Sequence, residues 1–351
     1  MTRALVTGGA GFVGTNLADR LLGEGHRVVV LDDLSRQGVR RNLRWLRARH
    51  GDRLDVHVAD VADRPRMRRA LRDVDRVYHL AAQVAVTTSL VDPAADAHAN
   101  IMGTLALLEE LRRLDAPPSL LFTSTNKVYG NLDDVELVEV ATRYEPAERA
   151  VRDHGVGEAR PLRFCTPYGC SKGAADQYVL DYAHSFGLTA AVLRMSCIYG
   201  PHQCGNEDQG WLAHFLIRAL AGEPITVFGD GKQVRDVLFV DDLVDALVIA
   251  GEQAPLLRGR AFNMGGGPEN SVSLREVLDA MGHLDGHPPE VEFADWRPGD
   301  QRYYVSDTSA FTAVTGWRPR VPALEGLARL HAWLGARRNR RDAVSAAPAV
   351  A

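Results

Sequence analysis

Cysteine is scarce in this chain: Cys165, Cys170, Cys197 and Cys204 are the only four in 351 residues, and no two form a CxxC pair. That usage excludes a disulfide scaffold and makes a reducing cytoplasm the expected setting. His202 and Cys204 are too few ligands for a metal, so none is expected. Long apolar runs are also missing. No window approaches the roughly 18 uninterrupted apolar residues of a spanning helix, so no membrane partner is expected. The opening MTRALVTGG reaches glycine too soon for an export signal. Neither charge sign prevails: 41 Lys and Arg face 45 Asp and Glu, a formal net charge of -4. A nucleic-acid partner is therefore not expected. No internal repeat is visible. The remaining balance, 46% hydrophobic and 25% charged, is that of a globular protein with one large or two medium domains.

The first half alternates strand-like and helix-like segments. RALVTG, RVVVLD, LDVHVAD, DRVYHLAA, SLLFTST and LTAAVLRMS read as strands. Helical patterns separate them, near residues 12–23, 41–49, 94–114 and from 168 onward. This alternation predicts an α/β fold with a doubly wound, parallel, Rossmann-type sheet and a smaller mixed α/β domain. The expected division is 1–195 for cofactor and catalysis, and 196–335 mainly for substrate. Part of 236–265 is expected to cross back to the first domain. A basic, then Ala- and Pro-rich tail, 336–351, is expected to be disordered. Residues 130–167 read as a long irregular loop, and Gly229 to Gly231 as a hairpin-like turn.

TGGAGFVG carries Gly8, Gly11 and Gly14 directly after a strand and at the start of a helix. Glycines there let the backbone approach a pyrophosphate, which the helix N-terminus then faces with free N–H groups. Asp32 follows Gly14 by 18 residues and ends the second strand beside Asp33. A carboxylate there accepts bonds from ribose hydroxyls and repels a 2′-phosphate, which favours NAD over NADP. Arg36 lies close enough to blur that choice. Asp60, with Val61, is placed either to meet the adenine or to cap its strand end.

TPYGCSK sets Tyr168 and Lys172 four apart, on one helical face. A lysine ammonium favours the phenolate and makes the tyrosine a usable base. A hydroxyl from Thr125 or Ser124 would complete such a site. Glycine fingerprint, hydroxyl-rich strand end and YxxxK, in this order, resemble the extended short-chain dehydrogenase/reductase superfamily. HLAAQ and LRMSCIYGP are similar to that superfamily too. The resemblance implies that Tyr168 is the acid/base, that Lys172 holds the nicotinamide ribose, and that Thr125 orients the substrate oxygen. It also implies cofactor contacts from Phe12, Val13, Leu80, Ala81, Ala82, Gln83 and Asn100.

Dehydratases of this superfamily carry an Asp-Glu pair after the catalytic threonine. Here Asn126 and Lys127 stand in its place. Elimination then lacks its proton carriers, and epimerisation is favoured. STNKVYG, HLAAQVAVTTSL, PYGCSKGAADQYV, SCIYGP, EDQGW, GDGKQVRDVLFVDDLV and RPGDQRYYVSD resemble the CDP-paratose (CDP-tyvelose) 2-epimerases. That resemblance implies a nucleotide-sugar substrate inverted at C2, a tightly bound and recycled NAD, and a homodimer formed through helices near 94–114 and 171–185. A 4-epimerase and a net NAD-dependent dehydrogenase remain the alternatives. Arg235, Arg297 and Arg302 are candidates for the diphosphate. Ser124, Asn126, Gln209 and Asp300 are further substrate candidates, while Trp211 is equally a core residue. Lys127 is either a sugar contact or a solvated loop residue. Cys165, Thr166, His202 and Cys204 depart from the pattern expected near the pocket.

Overall fold

The computed structural model describes residues 1–346. Its strands are β1 (Arg3–Thr7), β2 (Arg27–Asp32), β3 (Leu54–Val58), β4 (Arg76–His79), β5 (Ser119–Thr125), β6 (Leu137–Glu139), β7 (Tyr144–Pro146), β8 (Ala190–Met195), β9 (Cys197–Tyr199), β10 (Ile225–Phe228), β11 (Val234–Phe239), β12 (Ala261–Met264), β13 (Ser271–Ser273), β14 (Val291–Ala294) and β15 (Tyr303–Tyr304). Seven of them form one sheet in the order β12-β8-β5-β4-β1-β2-β3. Every pair in it is parallel. Such a sheet needs cover on both faces, which explains its nearly all-apolar strands. Successive β1 residues serve opposite layers: Ala4 and Val6 pack with helices 12–23, 39–50 and 240–252, and Leu5 with helices 64–70, 103–111 and 166–185. The fold is the doubly wound α/β arrangement that the alternation of apolar runs implies.

The direction of winding reverses between β1 and β4. A crevice opens at the carboxyl ends of strands at such a point, and ligands of open α/β sheets bind there. The glycine turn after β1 and the 80–83 segment after β4 border it.

A second core gathers Tyr199, Leu212, Phe215, Val227, Phe239, Val277 and Leu330. It is built on β11, which pairs with β9, β13 and β15, and on the parallel pair β10 and β14. β12 and helix 240–252 leave this region and join the central sheet layer.

Three local expectations differ from the structure. The glycines at 229 and 231 do not close a hairpin, because β10 and β11 belong to different sheets. The Gln233 side chain donates to Phe228 O at 2.7 Å, and β10 takes β14 as its partner. Residues 130–167 are not wholly irregular: they hold the β6–β7 hairpin and a helix over Arg149–His154. The last helix, Ala323–Ala346, continues past the expected tail boundary at 336. Residues 347–351 of that tail lie outside the described residues. Among the described residues no helix is long and apolar enough to cross a membrane.

Candidate active site

The turn after β1 is tight for a geometric reason. Gly8 has φ 67°, and a Cβ there would stand 2.8 Å from Ala81 N. A Cβ on Gly14 would stand 2.3 Å from Gly8 O. Gly11 N donates to Gly8 O at 3.0 Å, and Phe12 and Val13 open the helix. Asp32 closes the far side of this cradle. Its carboxylate accepts from Ala10 N at 3.0 Å and from Leu34 N at 2.9 Å. Asp33 is exposed and accepts from Ser35 N. Asp60 Oδ1 accepts from Ala62 N at 2.7 Å, the bond of a strand-end cap, and Val61 is buried under Gly103. Leu80 and Ala81 follow β4, with Ala81 N donating to Thr7 Oγ1 at 3.2 Å.

Asn100 sits in a π-helical turn, His98–Met102, inside the run from Pro93 to Leu111. Single π-turns of this kind redirect a side chain inside a helix. Asn100 Oδ1 accepts from Gln83 N at 2.9 Å, and Nδ2 donates to Ser171 Oγ at 2.9 Å. Gln83 also donates to Asp96 at 3.0 Å. This network fixes the crevice floor against the helix that carries the tyrosine.

That helix spans Thr166–Ser185 with Pro167 in its first turn. Tyr168 N donates to Ser89 Oγ at 3.1 Å. Lys172, one turn on, donates to Thr123 O at 2.7 Å, and its ammonium lies 4.2 Å from the centre of the Phe122 ring. Thr125 ends β5 and its hydroxyl accepts from Lys127 N at 3.3 Å. Burial pushes Tyr168 up to about 12, opposed first by the Thr125 hydroxyl. Burial pushes Lys172 down to about 7, opposed by Asp176 and Asp96. Burial thus disfavours the phenolate of Tyr168 and the ammonium of Lys172 alike. Ser124 Oγ is buried with no protein partner among the described residues.

Next to the catalytic turn lies a cleft of about 260 Å³. It is lined by Lys127, Gln209, Trp211, Arg235, Arg297 and Asp300, among others. Ser124, Thr125 and Asn126 are buried at the strand end beside it. Lys127 Nζ donates to Gly299 O at 3.0 Å; burial, reinforced by Arg235, pushes its amine down to about 8. A solvated loop lysine would show neither feature. Arg235 donates to Asp300 Oδ1 at 2.6 Å. Arg297 lies 3.6 Å over the Phe228 ring and donates to Glu207 O at 2.7 Å. Trp211 packs edge-on against Phe215. Arg302 is not in the cleft lining; it covers the Tyr144 and Trp296 rings.

The four departures fall in two places. Cys165 and Thr166 start the catalytic helix, where Thr166 adopts φ 66°, a strained conformation for a β-branched residue. His202 and Cys204 turn away from the cleft. The His202 ring lies tilted against Trp45, 4.3 Å between centres, and Arg41 donates to Cys204 Sγ at 3.3 Å. They bear on the helix 39–50, not on the cleft. Ser89, Asp96, Ser171 and His79 complete the site; His79, Ser89 and Ser171 lie inside stretches quoted above without being singled out, and Asp96 lies outside them.

His79 is fully buried between Thr7 Oγ1 at 2.7 Å and Thr104 Oγ1 at 3.1 Å. Burial, then the Lys172 charge, lowers its pKa from 6.5 to about 3. The neutral ring's contribution is complete above 6.5 and is lost as pH falls toward about 3. Urea midpoints measured on the acid side should therefore fall with pH more steeply for the wild type than for His79→Gln. The difference should approach about 1.4 kcal/mol per pH unit. Equal slopes would assign the acid sensitivity to other groups.

Residues 4–265 match the model of the family described as "NAD dependent epimerase/dehydratase family". The chain is 39% identical over 338 residues to a CDP-paratose 2-epimerase of Salmonella typhi, covering 94% of this chain and 98% of that protein. It is 36% identical to a UDP-glucose 4-epimerase of Mycolicibacterium smegmatis, covering 93% and 96%. The crystal structure of a Thermus thermophilus UDP-glucose 4-epimerase in complex with NAD superposes with TM-score 0.79 at 33% identity, covering 95% and 98%.

Proposed function

The chain belongs to the NAD dependent epimerase/dehydratase family, and on that premise we propose that it inverts C2 of a nucleotide-bound hexose, with a CDP-paratose-like substrate. The cofactor is NAD. The glycine cradle, the Asp32 carboxylate and the unpartnered Ser124 hydroxyl fit a dinucleotide and its substrate in the crevice. NAD, when bound there, supplies the acceptor and then the donor of one hydride. Tyr168 takes the proton of the sugar hydroxyl, and Lys172 stabilises the phenolate through its charge. Thr125 holds the sugar oxygen. Arg235 and Arg297 secure the diphosphate while the oxidised sugar turns over in the cleft. Tyr168 then returns its proton to the sugar oxygen, and the face of C2 that takes the hydride sets the new configuration. No net redox change results, so the cofactor stays bound.

The observation that carries this reading is the pair behind Thr125. Asn126 and Lys127 stand where a dehydratase needs acids. The cleft's carboxylates are otherwise engaged: Asp300 with Arg235, and Glu207 and Asp208 with Arg297. A proton abstraction next to the ketone therefore finds no unpaired carboxylate among the described residues of the cleft lining. The 36% identity to a UDP-glucose 4-epimerase supports inversion at C4 as the second reading.

The test is NMR of products formed from CDP-, UDP- and GDP-hexoses without added NAD. C2 inversion with no solvent deuterium is expected. C4 inversion selects the second reading. Solvent deuterium in the product, or a need for stoichiometric NAD, would overturn both.

We also propose a homodimer through the helices near 94–114 and 171–185, in a reducing cytoplasm that suits four free cysteines. Exposed Met102, Tyr178 and Phe186 on or just beyond these helices support it.

A further inference from the structure

Asp32 marks one end of the crevice and Tyr168 the other. A dinucleotide laid between them, with its ribose at Asp32, sets its two phosphates over the Gly8–Gly14 turn. The turn offers N–H groups and a helix terminus to those phosphates, but no cation. Arg36 enters this interval from the loop after β2. Its guanidinium lies within electrostatic reach of Asp32, Asp33 and Tyr168. Its Nη2 donates to Gln209 Oε1, on the substrate side of the crevice. The residue as a whole is solvent exposed, yet burial is the largest influence on its guanidinium and lowers its pKa.

Gln209 N donates to Asn206 Oδ1 at 2.8 Å. Asn16 donates to Pro201 O at 2.9 Å and Asn42 to His202 O at 3.2 Å, and so tie the start of the 201–209 segment to the first half of the chain. The brace for Arg36 thus comes from a segment already fastened across the crevice.

We propose that Arg36 is a cofactor-binding residue that closes over the pyrophosphate of NAD, with Gln209 as its brace. The inference rests on the reading of the crevice as an NAD site and adds a retention device to it. A guanidinium meets two phosphate oxygens in one plane, which a single N–H cannot do. It also offsets the repulsion that Asp32 and Asp33 impose on the diphosphate. Its reach toward Tyr168 ties cofactor closure to the reacting end.

Calorimetric titration of cofactor-stripped full-length protein with NAD, NADP, ADP and AMP tests this. Arg36→Ala should weaken NAD and ADP by about 10- to 100-fold, the loss of hydrogen bonds to a charged partner. AMP, which lacks the second phosphate, should lose less. Arg36→Lys should restore part of the affinity, and Gln209→Ala should weaken NAD by less than Arg36→Ala while speeding its release. Thermal melts without ligand should match the wild type, since Arg36 lies on an exposed loop. Equal NAD affinity in Arg36→Ala and wild type would overturn the proposal. So would a loss confined to NADP, which would assign Arg36 to a 2′-phosphate. A wild type that binds no NAD would instead sink the cofactor reading itself.

Discussion

Tyr168→Phe should lower kcat by about 10²- to 10⁴-fold, the range that a positioned general acid/base contributes. The ring keeps its volume, so the buried site and the Tyr168 N to Ser89 bond persist. Only the phenolic oxygen is lost, and with it the group that carries the sugar's proton. NAD content and melting temperature should stay at wild-type values, and KM should move little. Turnover is read by NMR of the epimerised sugar under saturating substrate. A variant that keeps full activity would show that another group takes the proton. A variant that loses NAD as well would show that the tyrosine acts mainly in binding.

Gly14→Ala should abolish NAD retention and destabilise the fold. The new Cβ would stand 2.3 Å from Gly8 O and 2.6 Å from Gly9 Cα. Both are backbone atoms of the phosphate-facing turn, so the helix 12–23 must move off it. Overpacking of this kind costs about 1–3 kcal/mol, and the displaced N–H groups no longer face a phosphate. Gly23, at the other end of the same helix, is the matched control. A Cβ there meets nothing within 4 Å. Gly23→Ala should be neutral or stabilise by up to about 1 kcal/mol through backbone entropy. Bound NAD is read from the absorbance of the denatured supernatant, and stability from urea midpoints. Equal NAD content in the two variants would mean that close packing of the turn is not what holds the cofactor.

These two variants probe the parts of the site that are written locally. Gly8 to Gly14 make one turn, and Tyr168 and Lys172 make one helical face. Each needs only a few neighbouring residues to be recognised. The parallel sheet was equally readable, because strands buried on two faces must be short and apolar. Lys127 shows where such reading stopped. Its sequence left it open as sugar contact or surface loop, and the choice turned on Gly299, 172 positions away. The pairing of Asp96 with Ser171 was unreadable for the same reason. Their bond joins two helices across 75 positions, and the PYGCSK stretch that holds Ser171 does not indicate its partner.

The pairing of β10 with β14 in place of β11 carries the same lesson at the level of the fold. A glycine turn between two apolar runs is compatible with a hairpin, but which edge a strand meets is settled by the second core. The sequence by itself determined the fold class, the close-packed glycine turn, an acid at the end of β2 and the placing of Tyr168 and Lys172 one helical turn apart, since periodicity and short spacing write these within one or two elements. Only the tertiary structure decided that Lys127 is half-buried in the cleft wall, that His202 and Cys204 face away from it, and that Arg36 meets Gln209 across the crevice. Those facts depend on contacts between segments more than 100 residues apart, brought together by burial of apolar layers that no local pattern specifies.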